Sequence, residues 1–126
     1  MSILGIGVDL VDIERLRGVV ARRGEAFLAR VFTPDEIAYC QRHKDPGPSL
    51  SARFGAKEAL VKALGVGWQP GMKWTDIEVQ REAGGRPLLV LHGRTGAIAA
   101  ERGVRAAHLS LTHGEREAVA YVILEG

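Results

Sequence analysis

Four groups of residues have types and spacings that can do chemistry. Asp9 follows Gly5-Ile6-Gly7-Val8 in a short apolar run, where a carboxylate is costly without a partner. It reads either as a turn or cap acid, or as a metal ligand held at a rigid strand end. Glu58 and Lys62 lie four apart in Ala56-Lys57-Glu58-Ala59-Leu60-Val61-Lys62 and so share one helix face. On an exposed helix such a pair is ordinary surface decoration. Here Ala56, Ala59, Leu60 and Ala63 surround it, leaving little width for a solvated stripe. Glu58 is therefore expected in a partly buried setting, with a cation as a natural companion. Two carboxylates from separate elements suit magnesium, which keeps several waters and is completed by substrate phosphates. Lys62 could neutralise a phosphate oxygen bound to the same ion.

Ser110-Leu111-Thr112-His113 forms the third group, at a strand end. Alternation puts Ser110 and Thr112 on one face, and two hydroxyls and an imidazole can all donate to phosphate oxygens. The same residues would also serve as the polar outer face of a half-buried strand. Gly85-Arg86-Pro87 is the fourth and weakest group, explained equally by a hairpin turn entering an edge strand. Neither has the spacing of a P-loop or a dinucleotide fingerprint. Together the four groups predict a site for a phosphorylated ligand without naming it.

Periodicity and capping signals give the elements that must position these residues. The run from Ile3 to Leu10 predicts a buried strand ending near Asp9. Asp12 can cap a helix over 13–23, with Gly24 as a left-handed terminator. Thr33-Pro34-Asp35-Glu36 is a capping box with proline at N1, opening a helix that stops near Arg42. After a loop over 43–48, Ser49 can cap a helix that runs to Leu64 and ends at Gly65. A loop over 65–74 follows. Strands around Ile77 and Val79 and around Leu88 and Val90 flank a turn at Glu82-Ala83-Gly84-Gly85. A short helix over 95–102 and strands over 108–112 and 118–124 complete the order. Strand, three helices, two strands, helix and two strands imply an α+β fold with a mainly antiparallel sheet.

The length of 126 residues suits one domain, 1–126. A composition of 46% hydrophobic and 25% charged residues is that of an ordinary globular protein. The net charge of +2 is too weak to identify a partner, but Arg15, Arg17, Arg22, Arg23 and Arg30 crowd near the N-terminus. Cys40 is the only cysteine, which excludes an intramolecular disulfide and fits a reducing cytoplasm. The first residues lack a basic region before the apolar run, so no signal peptide is expected. No apolar run approaches the ~20 residues of a membrane span, so no membrane partner is expected.

Gly5-Ile6-Gly7-Val8-Asp9 with Arg15, and Arg53-Phe54-Gly55-Ala56-Lys57-Glu58-Ala59 with Lys62-Ala63-Leu64-Gly65, resemble the two signatures of holo-acyl-carrier-protein synthases. Gly85-Arg86-Pro87 and Ser110-Leu111-Thr112-His113 follow in the order of that family's remaining motifs. Thr112 stands where serine is usual, which keeps a hydroxyl. The resemblance spans positions 5 to 113 and suits the short bacterial 4′-phosphopantetheinyl transferases. It implies magnesium-dependent transfer of 4′-phosphopantetheine from coenzyme A to a serine of acyl carrier protein, releasing adenosine 3′,5′-bisphosphate, in support of fatty acid biosynthesis. It places the metal ligands on Asp9 and Glu58 and the phosphate contact on Lys62. Gly65, Gly85, Arg86, Pro87, Ser110, Thr112 and His113 would help hold coenzyme A. It further implies a trimer with each site at a subunit boundary; the apolar strand over 118–124 is surface that either a neighbour or the chain's own core could bury. Either Glu58 or a water on the ion would accept the serine proton. Because acyl carrier proteins are acidic, Arg15 and Arg22, seven apart with Val19 between them, form the expected docking face.

Two other readings compete with the enzyme. A non-catalytic nucleotide- or carrier-binding module would keep the basic helix without needing Asp9, Glu58 and Lys62 together. A nucleic-acid binder would use the arginine-rich helix, but the small net charge, 6% aromatic content and absence of a recognised motif argue against it.

Overall fold

The computed structural model describes all 126 residues. Strand β1 (Ile3–Asp12) leads into helix α1 (Ile13–Val31), followed by α2 (Pro34–Gln41) and the long α3 (Gly47–Leu64). One 3-10 turn over Trp74–Asp76 precedes a hairpin of β2 (Ile77–Arg81) and β3 (Pro87–Leu91). Helix α4 (Gly93–Glu101) and strands β4 (Ala106–His113) and β5 (Glu117–Glu125) complete the chain. The strands form two antiparallel sheets, one in the order β1-β5-β4 and the other pairing β2 with β3. The expected α+β class and element order hold. No helix is long and apolar enough to cross a membrane.

Helix α3 lies on the three-stranded sheet, and Ala56, Ala59, Leu60 and Ala63 pack against Ala120, Val122 and Leu124 of β5 in the main core. The approach is close because β1 presents glycine to the helix. A Cβ on Gly5 would stand 1.9 Å from the Ala63 carbonyl oxygen, and one on Gly7 would stand 1.9 Å from that of Ala59. The polar counterpart is Lys57, wholly buried on another side of α3. Its Nζ donates to Glu36 Oε1 at 2.8 Å and to the carbonyls of Trp74 and Ile77. Glu36 also accepts from the amides of Thr33 and Val79, so this one carboxylate joins α2, α3 and β2. The capping box at Thr33 forms as expected, and Asp12 caps α1 through the Arg15 amide at 3.0 Å.

Four local expectations differ from the structure. Strand β1 continues past Asp9 to Asp12, because β5 pairs with it as far as Glu117. It is buried on one face only: Ile6 and Leu10 are 52% and 61% exposed. Gly24 has the positive φ of +60° expected of it, but the chain resumes a helical course to Val31 instead of stopping. Helix α3 starts at Gly47, not after Ser49. Asp45 Oδ1 accepts the Gly47 amide, while the Ser49 hydroxyl accepts from Arg53 and Cys40. Helix α4 begins at Gly93, before the expected Thr95, and Thr95 instead donates to Asp76 Oδ2 at 3.0 Å. The strand over 118–124 divides its residues: Ala118, Ala120, Val122 and Leu124 enter the chain's own core, and Tyr121 faces outward.

Candidate active site

Asp9 lies on the α3-facing side of β1, two residues beyond Gly7. The close glycine contact brings it to Lys62, whose Nζ donates to Asp9 Oδ1 at 2.9 Å and to the Val8 carbonyl at 3.0 Å. Glu58 stands one turn earlier on the same helix face. Burial and then the charge of Asp9 push its carboxyl above the usual range, against an opposing pull from Lys62. The structure thus brings Asp9, Glu58 and Lys62 together. Nowhere do three His, Cys, Asp or Glu side chains gather as a metal cage. The two facing carboxylates are nonetheless hard oxygen donors whose mutual repulsion a divalent cation would relieve. Such a donor set fits magnesium completed by water and phosphate oxygens.

Beside Asp9 opens a cleft of about 470 Å³ between the end of β1, α1 and α3. Arg15 and Val19 line it, with Leu16, Phe27 and Phe54 making much of its apolar wall. Arg22 is exposed further along α1 and lies back over Gly18, where a Cβ would meet its Nη1 at 3.2 Å. The break at Gly24 precedes Phe27, which the expected helix end at Arg23 did not anticipate.

Ser110 and Thr112 are exposed on the outer face of the sheet, opposite the side that carries Asp9. His113 is the last residue of β4 and is also exposed. Thr112 and His113 border a second cleft of about 320 Å³, whose wall includes Tyr39, His43, Asp45 and Arg53. Gly65 terminates α3 in a left-handed conformation, φ +74°, at a more open hollow beside Arg94 and Arg102. Gly85, at φ +89°, turns the β2–β3 hairpin, and Arg86 is exposed beside it with the half-buried Pro87 opening β3. None of these three lines either cleft. Within one chain, the carboxylate pair and the serine–histidine strand end remain apart.

Arg53 is a residue that sequence reasoning missed. It is only 3% exposed, yet it takes part in no ion pair, and its Nε has no hydrogen-bond partner. Nη1 donates to Ser49 Oγ at 2.9 Å, and the guanidinium lies 4.3 Å from the centre of the Tyr39 ring. Arg81, also in that wall and also without a carboxylate, lies 4.9 Å from the same ring. A buried cation without an anion is costly, and an anion in this cleft would relieve that cost. The available signal was the recurrence of Ser49, Arg53 and Lys57 at every fourth position of one helix.

A family model, the 4′-phosphopantetheinyl transferase superfamily, matches residues 5–122. The chain belongs to that superfamily. It is 49% identical over 123 residues to a holo-[acyl-carrier-protein] synthase of Koribacter versatilis, covering 98% of each chain. Among solved structures, the holo-[acyl-carrier-protein] synthase of Neisseria meningitidis superposes with a TM-score of 0.89 at 31% identity, covering 99% of this chain and 100% of that one. That of Helicobacter pylori in complex with coenzyme A gives 0.84 at 30% identity, covering 95% and 99%. The chain is therefore a transferase by family.

Proposed function

We propose that this transferase moves 4′-phosphopantetheine from coenzyme A to a serine of an acyl carrier protein, in support of fatty acid biosynthesis. The observation that carries the reading is the meeting of Asp9, Glu58 and Lys62 at the close β1–α3 contact. Serine oxygen attacks the phosphorus that bears pantetheine. The bond from that phosphorus to the bridging oxygen breaks, and adenosine 3′,5′-bisphosphate leaves with the bridging oxygen. Glu58 stands where it could accept the serine proton, directly or through a water. Asp9 and Glu58 would hold magnesium, which when bound supplies positive charge to the diphosphate. Lys62 is 54% exposed and can turn from Asp9 toward a phosphate oxygen. Such phosphoryl transfer needs charge neutralisation and alignment more than covalent chemistry.

The second cleft would take the phosphates at the adenosine end of coenzyme A, with Arg53, Thr112 and His113 as donors. Gly65, Gly85, Arg86, Pro87 and Ser110 would complete the binding of coenzyme A. The separation of these groups from Asp9 within one chain supports a homotrimer in which neighbouring copies share each site. The outer sheet face supplies apolar surface for that assembly: Ile6, Val8, Leu10 and Tyr121 are exposed side by side across β1 and β5. Arg15, Val19 and Arg22 would orient the acidic carrier beside the first cleft. A coenzyme A-dependent enzyme with a free, buried Cys40 fits the cytoplasm.

The test is to incubate the protein with coenzyme A, magnesium and apo carrier, then weigh the carrier. A gain equal to one phosphopantetheine supports the proposal. An unchanged carrier mass with coenzyme A still bound would support a binding module instead.

A further inference from the structure

The second cleft has one acid in its wall. Arg53, Arg81, His43 and His113 could all face an anion favourably, but Asp45 of the α2–α3 loop could not. A carboxylate at that position would repel the ligand unless something answers its charge. Arg17, from the middle of α1, does so. Its Nη2 donates to Asp45 Oδ2 and its Nε to Asp45 Oδ1 at 3.4 Å, a two-point contact across 28 positions of sequence. Glu14, one turn earlier, steadies the same guanidinium through Nη1 at 3.0 Å.

The surroundings are shaped to this contact. A Cβ on Gly47 would stand 2.7 Å from Arg17 Nε, so the guanidinium runs close over that glycine. The Gly47 amide donates to Asp45 Oδ1 at 3.0 Å and fixes the carboxylate from the other side. Arg17 and this amide together hold the Asp45 carboxyl below the usual range, which favours its ionised form. Arg17 is not in the cleft wall, and on α1 it lies well around the helix from Arg15 and Val19. Its charge therefore acts behind Asp45, away from the expected carrier face.

We propose that Arg17 is a positioning residue for the nucleotide: it neutralises and holds Asp45, so that a phosphate enters a cleft of net positive charge. The inference rests on the reading that this cleft takes a phosphate of coenzyme A.

The experiment is calorimetric titration of the intact protein with adenosine 3′,5′-bisphosphate, on wild type, Arg17→Ala, Asp45→Asn, the double variant Arg17→Ala/Asp45→Asn, and Arg53→Gln. Arg17→Ala should weaken binding about three- to tenfold, the effect of one exposed carboxylate a few ångströms from the ligand. Asp45→Asn should bind at least as well as wild type. The double variant should return to the Asp45→Asn level, because the harm in Arg17→Ala comes only through the freed carboxylate. The Michaelis constant for the carrier should not move in Arg17→Ala. A loss that persists in the double variant, or that appears in the carrier constant instead, overturns the role of Arg17. Weakened binding by Arg53→Gln with an unaffected Arg17→Ala overturns it while leaving the cleft assignment standing. Unchanged binding by Arg53→Gln overturns the cleft assignment and the proposal with it.

Discussion

Glu58 sits under opposing influences. Burial and the neighbouring Asp9 raise its carboxyl, and Lys62 only partly compensates. A carboxyl raised on folding adds stability while protonated, and that contribution is lost as pH rises through its folded value. At neutral pH the ionised group therefore costs stability, a feature tolerated where function needs it. Glu58→Gln is expected to melt at or above the wild-type temperature while losing most transfer activity. Asp9→Ala and Glu58→Ala should likewise lose most activity with an intact circular dichroism spectrum. Near wild-type turnover at saturating magnesium in either alanine variant would remove these residues from the centre. Cys40 shows the opposite kind of site. Burial pushes its thiol up against the Ser49 hydrogen bond, so a thiol reagent should leave the native protein unmodified and react only after denaturation. Asp9, Glu58 and Lys62 were legible in the sequence because acid and base stood at spacings with chemical meaning among small apolar neighbours. Arg53 was not legible as a candidate, since only the packing of Tyr39, Ser49 and the sheet decides that its charge is buried unpaired.

At the scale of elements, α3 is seated twice: by glycine on β1 and by Lys57 on α2 and β2. Gly7→Ala forces a Cβ into backbone, 1.9 Å from the Ala59 oxygen and 2.9 Å from the Ala63 nitrogen. It should destabilise by about 1–3 kcal/mol in denaturant titration and lower activity even where the chain remains folded. Lys57→Met leaves Glu36 buried without its cation and should cost about 3–5 kcal/mol; Lys57→Met/Glu36→Gln should recover part of that loss. If Lys57→Met is neutral, the buried pair is not what ties α3 to its neighbours. On α1, Arg15→Glu with Arg22→Glu should raise the Michaelis constant for the carrier and leave that for coenzyme A nearly unchanged, with added salt weakening wild type more than the variant. An unmoved carrier constant would take docking off α1. Element existence was readable wherever a local signal acts alone, as at the Thr33 capping box and the left-handed Gly65. It failed where tertiary partners compete. Arg53 takes the Ser49 hydroxyl, β5 carries β1 on to Asp12, and the packed Leu28 and Val31 continue α1 past Gly24.

For the whole molecule, the decisive feature is a sheet with two different faces. One buries alanine, valine and leucine under α3; the other leaves Ile6, Val8, Leu10 and Tyr121 in solvent beside exposed Ser110 and Thr112. Alternation along β1 was visible in the sequence, but its apolar outer positions read there as burial within the chain. In the proposed assembly other copies would cover this outer apolar face, and cyclic closure would let each site draw Asp9 and Glu58 from one chain and Arg53 and His113 from the next. The direct test is to mix inactive Glu58→Ala and His113→Ala chains after dissociation, let them reassemble, and assay carrier modification by mass. With random mixing, about a quarter of subunit boundaries carry both intact halves, so activity should return to about a quarter of wild type. Mixtures that stay as inactive as the separate variants, or a wild type that sediments as a fully active monomer, would contradict the shared site.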